Sequence, residues 1–381
     1  MSGGGWMGVF PVIDMAETLC NTPRRMRGRG TLAALAAASA LVSPLPAAAL
    51  DVLERPAALT ARLASLVQLD VTNAGERLVS VGERGAILLS DDRGMSWRQA
   101  VVPVSVTLTR VRFPDAKNGW AVGHGGVVLH TGDGGETWSR QLDGIAAARM
   151  ELAAATAEMG DSDASRRRLR EAERLVAEGP DKPLLSLYFA DARRGLVVGA
   201  YGLAFATEDG GRTWSSLMGR LQAADGRHLY AAGAVGDALY IAGEQGVLLV
   251  SDDGGRTFSR AAFPGKGTSF GMLAASSGVL VYGLKGSVHR GEAGGRWTRI
   301  DMPAASVTAG ARLPDGALVL GNESGQIFRS RDDGRSFQPV PADGRVPVTG
   351  LAVAADGALV RSGMRGVGRV AFDDNDEEAR K

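Results

Sequence analysis

The sequence predicts an all-β protein, a seven-bladed β-propeller, and three observations carry that prediction. An eight-residue Asp-Gly block recurs along the chain, a second glycine-flanked turn recurs about eight residues ahead of it, and successive turns are spaced by close to forty residues. A unit of that length, holding four short strands, is a propeller blade. The 53 glycines among 381 residues suit a chain of many tight turns, each expected where φ must be positive.

The block is clearest at Thr131-Gly132-Asp133-Gly134-Gly135-Glu136-Thr137-Trp138, with near-copies at 90–97, 207–214, 251–258 and 330–337 and a worn one at 290–297. The second element reads Val81-Gly82-Glu83-Arg84-Gly85 in its first copy. Its leading glycines, Gly82, Gly123, Gly199, Gly243, Gly283, Gly321 and Gly363, count seven units at intervals of 41, 76, 44, 40, 38 and 42 residues. The long interval marks an insertion, because 108–138 aligns without a gap on 184–214. Within the insertion, Ala148, Leu152, Ala155 and Met159 recur at helical spacing, as do Leu169, Ala172, Leu175 and Val176. Residues 145 to 178 therefore read as a helical hairpin mounted on the propeller. Arg166, Arg167, Arg168 and Arg170 read as a solvated helix face balanced by nearby glutamates.

In the second unit the strands are expected at 108–113, 120–122, 127–130 and 137–141, from the inside outwards. Consecutive turns of an up-and-down blade lie on opposite faces, so the Asp blocks ring one face and the Val-Gly turns the other. A last unit, ending near residue 372, lacks an outer strand, and residues 55 to 62 are the expected donor that closes the ring.

Ahead of the propeller, Arg24, Arg25, Arg27 and Arg29 precede an apolar run at 32–42, then Pro44, Pro46 and three alanines at 47–49. That is the order of a secretory signal, with translation expected from Met26 and cleavage after Ala49. The run is too short for a permanent span. Residues 1 to 49 are thus an upstream extension and signal. Export to a periplasm, or to a thylakoid lumen in a photosynthetic host, follows. Cys20, the sole cysteine, would leave with the signal, so no disulfide or thiol chemistry is expected. Residues 373 to 381 form an acidic tail, expected to be disordered.

Forty-three basic against 42 acidic side chains exclude a nucleic-acid footprint. Asp92, Asp133, Asp209, Asp253 and Asp332 repeat around the ring, and copies so arranged cannot all be one active site. Each block also offers too few oxygens for a calcium loop. These aspartates are read as acceptors for their own turn amides, and no cofactor, metal or catalytic residue is expected. Scattered His124, His130, His228 and His289 show no metal spacing. The Val-Gly turns instead present variable side chains, and Arg84, His124, Tyr201, Gln245, Lys285 and Arg365 are the candidate partner-binding residues. Their mixed charge with an aromatic suits a protein or peptide.

The Ser/Thr-x-Asp-x-Gly-x-Thr-Trp block is the Asp-box, or bacterial neuraminidase repeat. Combined with the Val-Gly-x-x-Gly turns and with strands such as 111–115 leading into 118–123, it resembles the photosystem II stability and assembly factor family of seven-bladed propellers over residues 50 to 372. The resemblance implies a non-catalytic lumenal or periplasmic scaffold that holds a protein partner, a subunit of a membrane complex, during assembly, and the chain is expected to be a monomer. Two alternatives share the repeats. A sialidase-like glycoside hydrolase would need an arginine cluster, a Tyr-Glu pair and a proton donor, and the chain has no Arg-Ile-Pro-like segment ahead of its repeats. An accessory protein of an envelope transporter would need only the binding surface.

Overall fold

The computed structural model describes residues 52–221, 224–292, 295–341 and 346–370. The expected signal with Cys20 and the acidic tail lie outside them. Seven antiparallel sheets follow one another along the chain, six of four strands and a last of three among the described residues. Blade 1 comprises Gln68–Ala74, Arg77–Gly82, Ile87–Ser90 and Arg98–Gln99. Blade 2 comprises Leu108–Arg112, Gly119–Gly123, Val128–Thr131 and Ser139–Leu142. Blade 3 begins at Leu184, blade 4 at Leu229, blade 5 at Ser269, blade 6 at Val307 and blade 7 at Gly350.

The core lies between blades. Trp138 is buried at the junction of blades 1 and 2, edge-on to Phe113 with centroids 6.0 Å apart, and its Nε1 donates to Gly135 O. Trp120 is fully buried at the next junction, stacked on Phe189 at 3.8 Å. Aromatic rings bury the largest area per residue, which is why the repeat keeps one at the end of each block.

Ring closure differs from the expectation. Residues 55–62 form no strand. They run instead along the outer edge of blade 1, where Ala57 N donates to Val102 O at 3.0 Å and Thr60 N to Gln99 Oε1 at 3.1 Å. The ring is closed by side chains: Thr349 Oγ1 donates to Gln68 O at 2.7 Å, and Asn73 Nδ2 to Val353 O at 2.9 Å. The threonine stitch is a repeated device, since Thr109 Oγ1 reaches Leu184 O at 2.7 Å and Thr308 Oγ1 reaches Val348 O at 2.5 Å. Thr109 and Thr308 stand at the bulge of an inner strand, where the ladder skips a residue and frees the side chain to turn toward the next blade.

The insertion is the expected hairpin. Helix α1 (Gly144–Ala157) is capped by Asp143, which accepts from Ile145 N and Ala146 N, and helix α2 (Asp163–Glu178) by Ser162, which accepts from Ser165 N. Its packing departs from the periodic apolar reading. Met159 and Val176 are exposed, whereas Glu151 is 1% exposed. Arg168 explains the exchange: it is no solvated residue but bridges the helices, with Nε 2.8 Å from Glu151 Oε1 and Nη1 2.6 Å from Glu158 Oε2. Ser216 Oγ of blade 3 also donates to Glu151, so this buried carboxylate fastens the hairpin to the propeller. No described helix is long and apolar enough to cross a membrane.

Candidate partner-binding face

The Asp blocks are closed on themselves. Asp133 Oδ1 accepts from Thr131 Oγ1 at 2.6 Å and from Thr137 N at 3.0 Å, while Oδ2 accepts from Thr137 Oγ1 at 2.6 Å. The same pattern joins Asp92 to Ser96, Asp209 to Thr213, Asp253 to Thr257 and Asp332 to Ser336. At Asp133 burial opposes ionisation, but the hydroxyls of Thr131 and Thr137 and the turn amides outweigh it and lower the pKa to about 2.

A depressed carboxyl pKa contributes stability that is complete above the unfolded value of about 4 and is lost as pH falls toward the folded value. Asp133→Asn is therefore expected to lower the melting temperature at pH 7, by the equivalent of about 1 kcal/mol after allowing for exposure. The gap between variant and parent should close between pH 4 and pH 2 in parallel thermal melts.

On the other face, each Val-Gly turn is tied to the entry of its own blade. Gly82 N donates to Ala86 O at 3.0 Å and Glu83 N to Val67 O at 3.0 Å, and His124 N makes the equivalent bond to Thr107 O at 2.9 Å. This contact accounts for the leading glycine in blades 1 to 5, whereas in blade 6 the equivalent position is Asn322, one residue after Gly321. The backbone of those five glycines is extended rather than left-handed, as at Gly82 with φ −164°, but a Cβ on Gly82 would lie 2.0 Å from Val67 O. Close approach of backbone, not positive φ, imposes the residue there.

Positive φ appears two residues later, and mostly without glycine. Arg84, Tyr201, Gln245 and Lys285 have φ of 54°, 55°, 52° and 54°; blade 2 uses a glycine there, Gly125, and the last two turns place their positive φ at Gly325 and Gly366. All four side chains are exposed, as is Arg365 on the last turn. His124 stands one position earlier, half-buried beside the start of α1, and burial pulls its pKa down. The connections between blades lie on this same face, so the hairpin rises beside the turns of blades 2 and 3.

Three residues that periodicity did not single out join Tyr201. Its ring lies 4.7 Å from His228, which lies 6.3 Å from Tyr230, itself edge-on to Phe270 at 5.5 Å. The run leads from the rim toward the axis, where Arg110 Nη2 reaches across to Phe270 O at 3.3 Å. Lys182 Nζ sits 5.5 Å over Tyr201. The available signal was positional: Tyr230 and Phe270 both occupy the inner-strand bulge that holds threonine in blades 2 and 6. Among the described residues no cluster of His, Cys, Asp or Glu is placed to hold a metal ion.

Comparison with known proteins agrees with this architecture. The chain is 27% identical over 192 residues to the photosystem II assembly lipoprotein Ycf48 of Synechococcus sp. (strain CC9902), covering 46% of this chain and 57% of that protein. It is 39% identical over 70 residues to the chloroplastic photosystem II stability/assembly factor HCF136 of Cyanidioschyzon merolae (strain NIES-3377 / 10D), covering 17% and 16%. The chain thus spans less than two thirds of either curated relative. Among solved structures, YCF48 bound to a D1 peptide matches with TM-score 0.57 and 14% identity over 82% of this chain and 94% of that one. YCF48 from Cyanidioschyzon merolae matches with TM-score 0.57 and 15% identity over 81% and 96%. At such identities the structural likeness speaks for the propeller fold alone. The family of photosynthesis system II assembly factor YCF48 matches residues 61–161 and 174–337, and with most of its length so covered the chain belongs to that family.

Proposed function

We propose that the protein is an exported, non-catalytic scaffold that holds a protein or peptide segment of a membrane-associated complex during its assembly, using the Val-Gly rim. Family membership supports the assembly role, and a relative solved with a D1 peptide supports a polypeptide partner. The observation that carries the choice of face is the left-handed backbone of Arg84, Tyr201, Gln245 and Lys285. Non-glycine residues in that region cost energy, and four such positions on this exposed rim, against Arg93 and Asp333 in the Asp blocks, point to side chains kept for contact rather than for turn geometry. The Asp-block carboxylates, by contrast, are already saturated by their own turns.

The test is crosslinking in native cells followed by mass spectrometry, comparing the parent with Arg84→Glu/Lys285→Glu/Arg365→Glu. The reversed protein is expected to recover the crosslinked subunit at least tenfold less, while Asp133→Asn recovers it normally. Equal recovery by the reversed protein would discard this rim.

A further inference from the structure

Equivalent positions at two neighbouring blade junctions are filled very differently. Between blades 2 and 3, Trp120 pairs across the ladder with His130, its ring 4.7 Å from the imidazole and stacked on Phe189. One blade further, the matching pair is Leu196 and Ala206. Ala234 takes the place of Phe189, facing Leu239 as Phe189 faces Gly195. All three smaller residues line a cleft of about 360 Å³ on the Asp-block face between blades 3 and 4. Two arene rings and an imidazole at one junction are thus replaced by open space at the next.

The rim of that cleft carries both signs of charge. Arg220 reaches only Gly255 O, at 3.4 Å, and neither Arg220 nor Arg256 has a carboxylate at ion-pair distance among the described residues. Glu208 and Asp237 stand on the same rim, likewise without a cationic partner, and Arg194 is engaged by Asp191 at 2.8 Å. We infer that this cleft binds a free aromatic α-amino acid, with the ring in the space that Trp120, His130 and Phe189 fill one junction earlier, the carboxylate at Arg220 and Arg256, and the ammonium at Glu208 and Asp237. An apolar cavity smaller than this already accepts a single aromatic ring, and the volume falls within the range of small-molecule sites. Rim charges of both signs give the orientation that a plain ring would lack.

Calorimetric titration of the full chain with L-tryptophan, indole-3-propionate, tryptamine and indole tests each part. Saturable L-tryptophan binding is expected, weakened about fivefold or more when either the ammonium or the carboxylate is missing, the equivalent of one charge-assisted contact. Ala234→Phe is expected to abolish it. The variant Leu196→Trp/Ala206→His/Ala234→Phe, which copies the filled junction, should do the same while its circular dichroism spectrum stays that of the parent. No saturable binding at millimolar L-tryptophan, equal binding of indole, or binding unchanged in the filled variants would overturn the inference.

Discussion

Arg290→Leu is expected to lower the free energy of unfolding by about 2 to 4 kcal/mol, because it removes a buried guanidinium and leaves the partly buried Asp333 carboxylate without its cation. Arg290 is 2% exposed. Its Nε donates to Asp333 O at 2.8 Å, Nη2 to Asp333 Oδ2 at 2.8 Å and to Ser277 Oγ at 2.9 Å, and Nη1 to Glu292 Oε1 at 2.7 Å. The residue stands opposite Leu280 as His130 stands opposite Trp120, so it is a junction residue, here between blades 5 and 6. Burial works against the Asp333 anion, but the amides of Ser276 and Ser277 with the guanidinium hold its pKa well below the usual range. The worn block of blade 5 thus coincides with a different fastener, one that borrows an aspartate from the next blade's block. Urea titration measures the loss, and Arg290→Leu/Asp333→Asn should recover part of it. A single variant as stable as the parent would show that the pair is idle.

Trp120→Ala is expected to cost about 3 to 5 kcal/mol by the same measurement, the range for deleting a large buried aromatic. The indole is fully buried between Phe189 and His130, and Nε1 donates to Gln141 Oε1 at 3.1 Å. Gln141 Nε2 in turn donates to Gly210 O at 2.8 Å, in the block of blade 3. Removing the ring therefore opens a cavity and loosens an amide that ties two blades together. The neighbouring junction, with Leu196 in this position, bounds the effect: the propeller tolerates a cleft there, so Trp120→Ala should remain folded. A cost under 1 kcal/mol would mean that the junction collapses around the gap.

Repetition made most of the architecture legible. The number of blades, the place of the helical insertion and the closed hydrogen bonding of the Asp blocks all follow from the recurrence of a few residue types at fixed intervals. Local turn chemistry does not depend on distant partners, so Asp133 can be placed on its own turn amides from sequence alone, while the bond from Thr137 Oγ1 is seen only in the structure. The positive-φ reading of the glycines holds in the Asp blocks, where Gly134 and Gly135 have φ of 73° and 96°, and fails at the glycine that leads the first Val-Gly turn. Gly82 is required by a carbonyl 2.0 Å from its missing Cβ, a contact with the blade's own entry strand that no φ preference encodes.

Where residues from different blades meet, the sequence was silent. Arg168 looked like one of a solvated run, yet it pairs with Glu151 across the hairpin. Residues 55–62 are the expected closing strand of the last blade, but their hydrogen bonds go to the edge of blade 1. Tyr230 and Phe270 are ordinary inner-strand residues until the bulge turns them toward Tyr201 and the axis.

The sequence by itself determined the seven-unit propeller, its insertion and the self-satisfied Asp blocks, because each is written in local, repeated contacts. Only the tertiary structure decided how the ring closes, which carboxylate fastens the hairpin, which side chains gather beside Tyr201, and that the junction of blades 3 and 4 is open. Each of these depends on pairs far apart in the chain, such as Thr349 with Gln68 or Arg290 with Asp333. The period of a repeat fixes where a blade begins, but packing between blades selects which of its side chains meet.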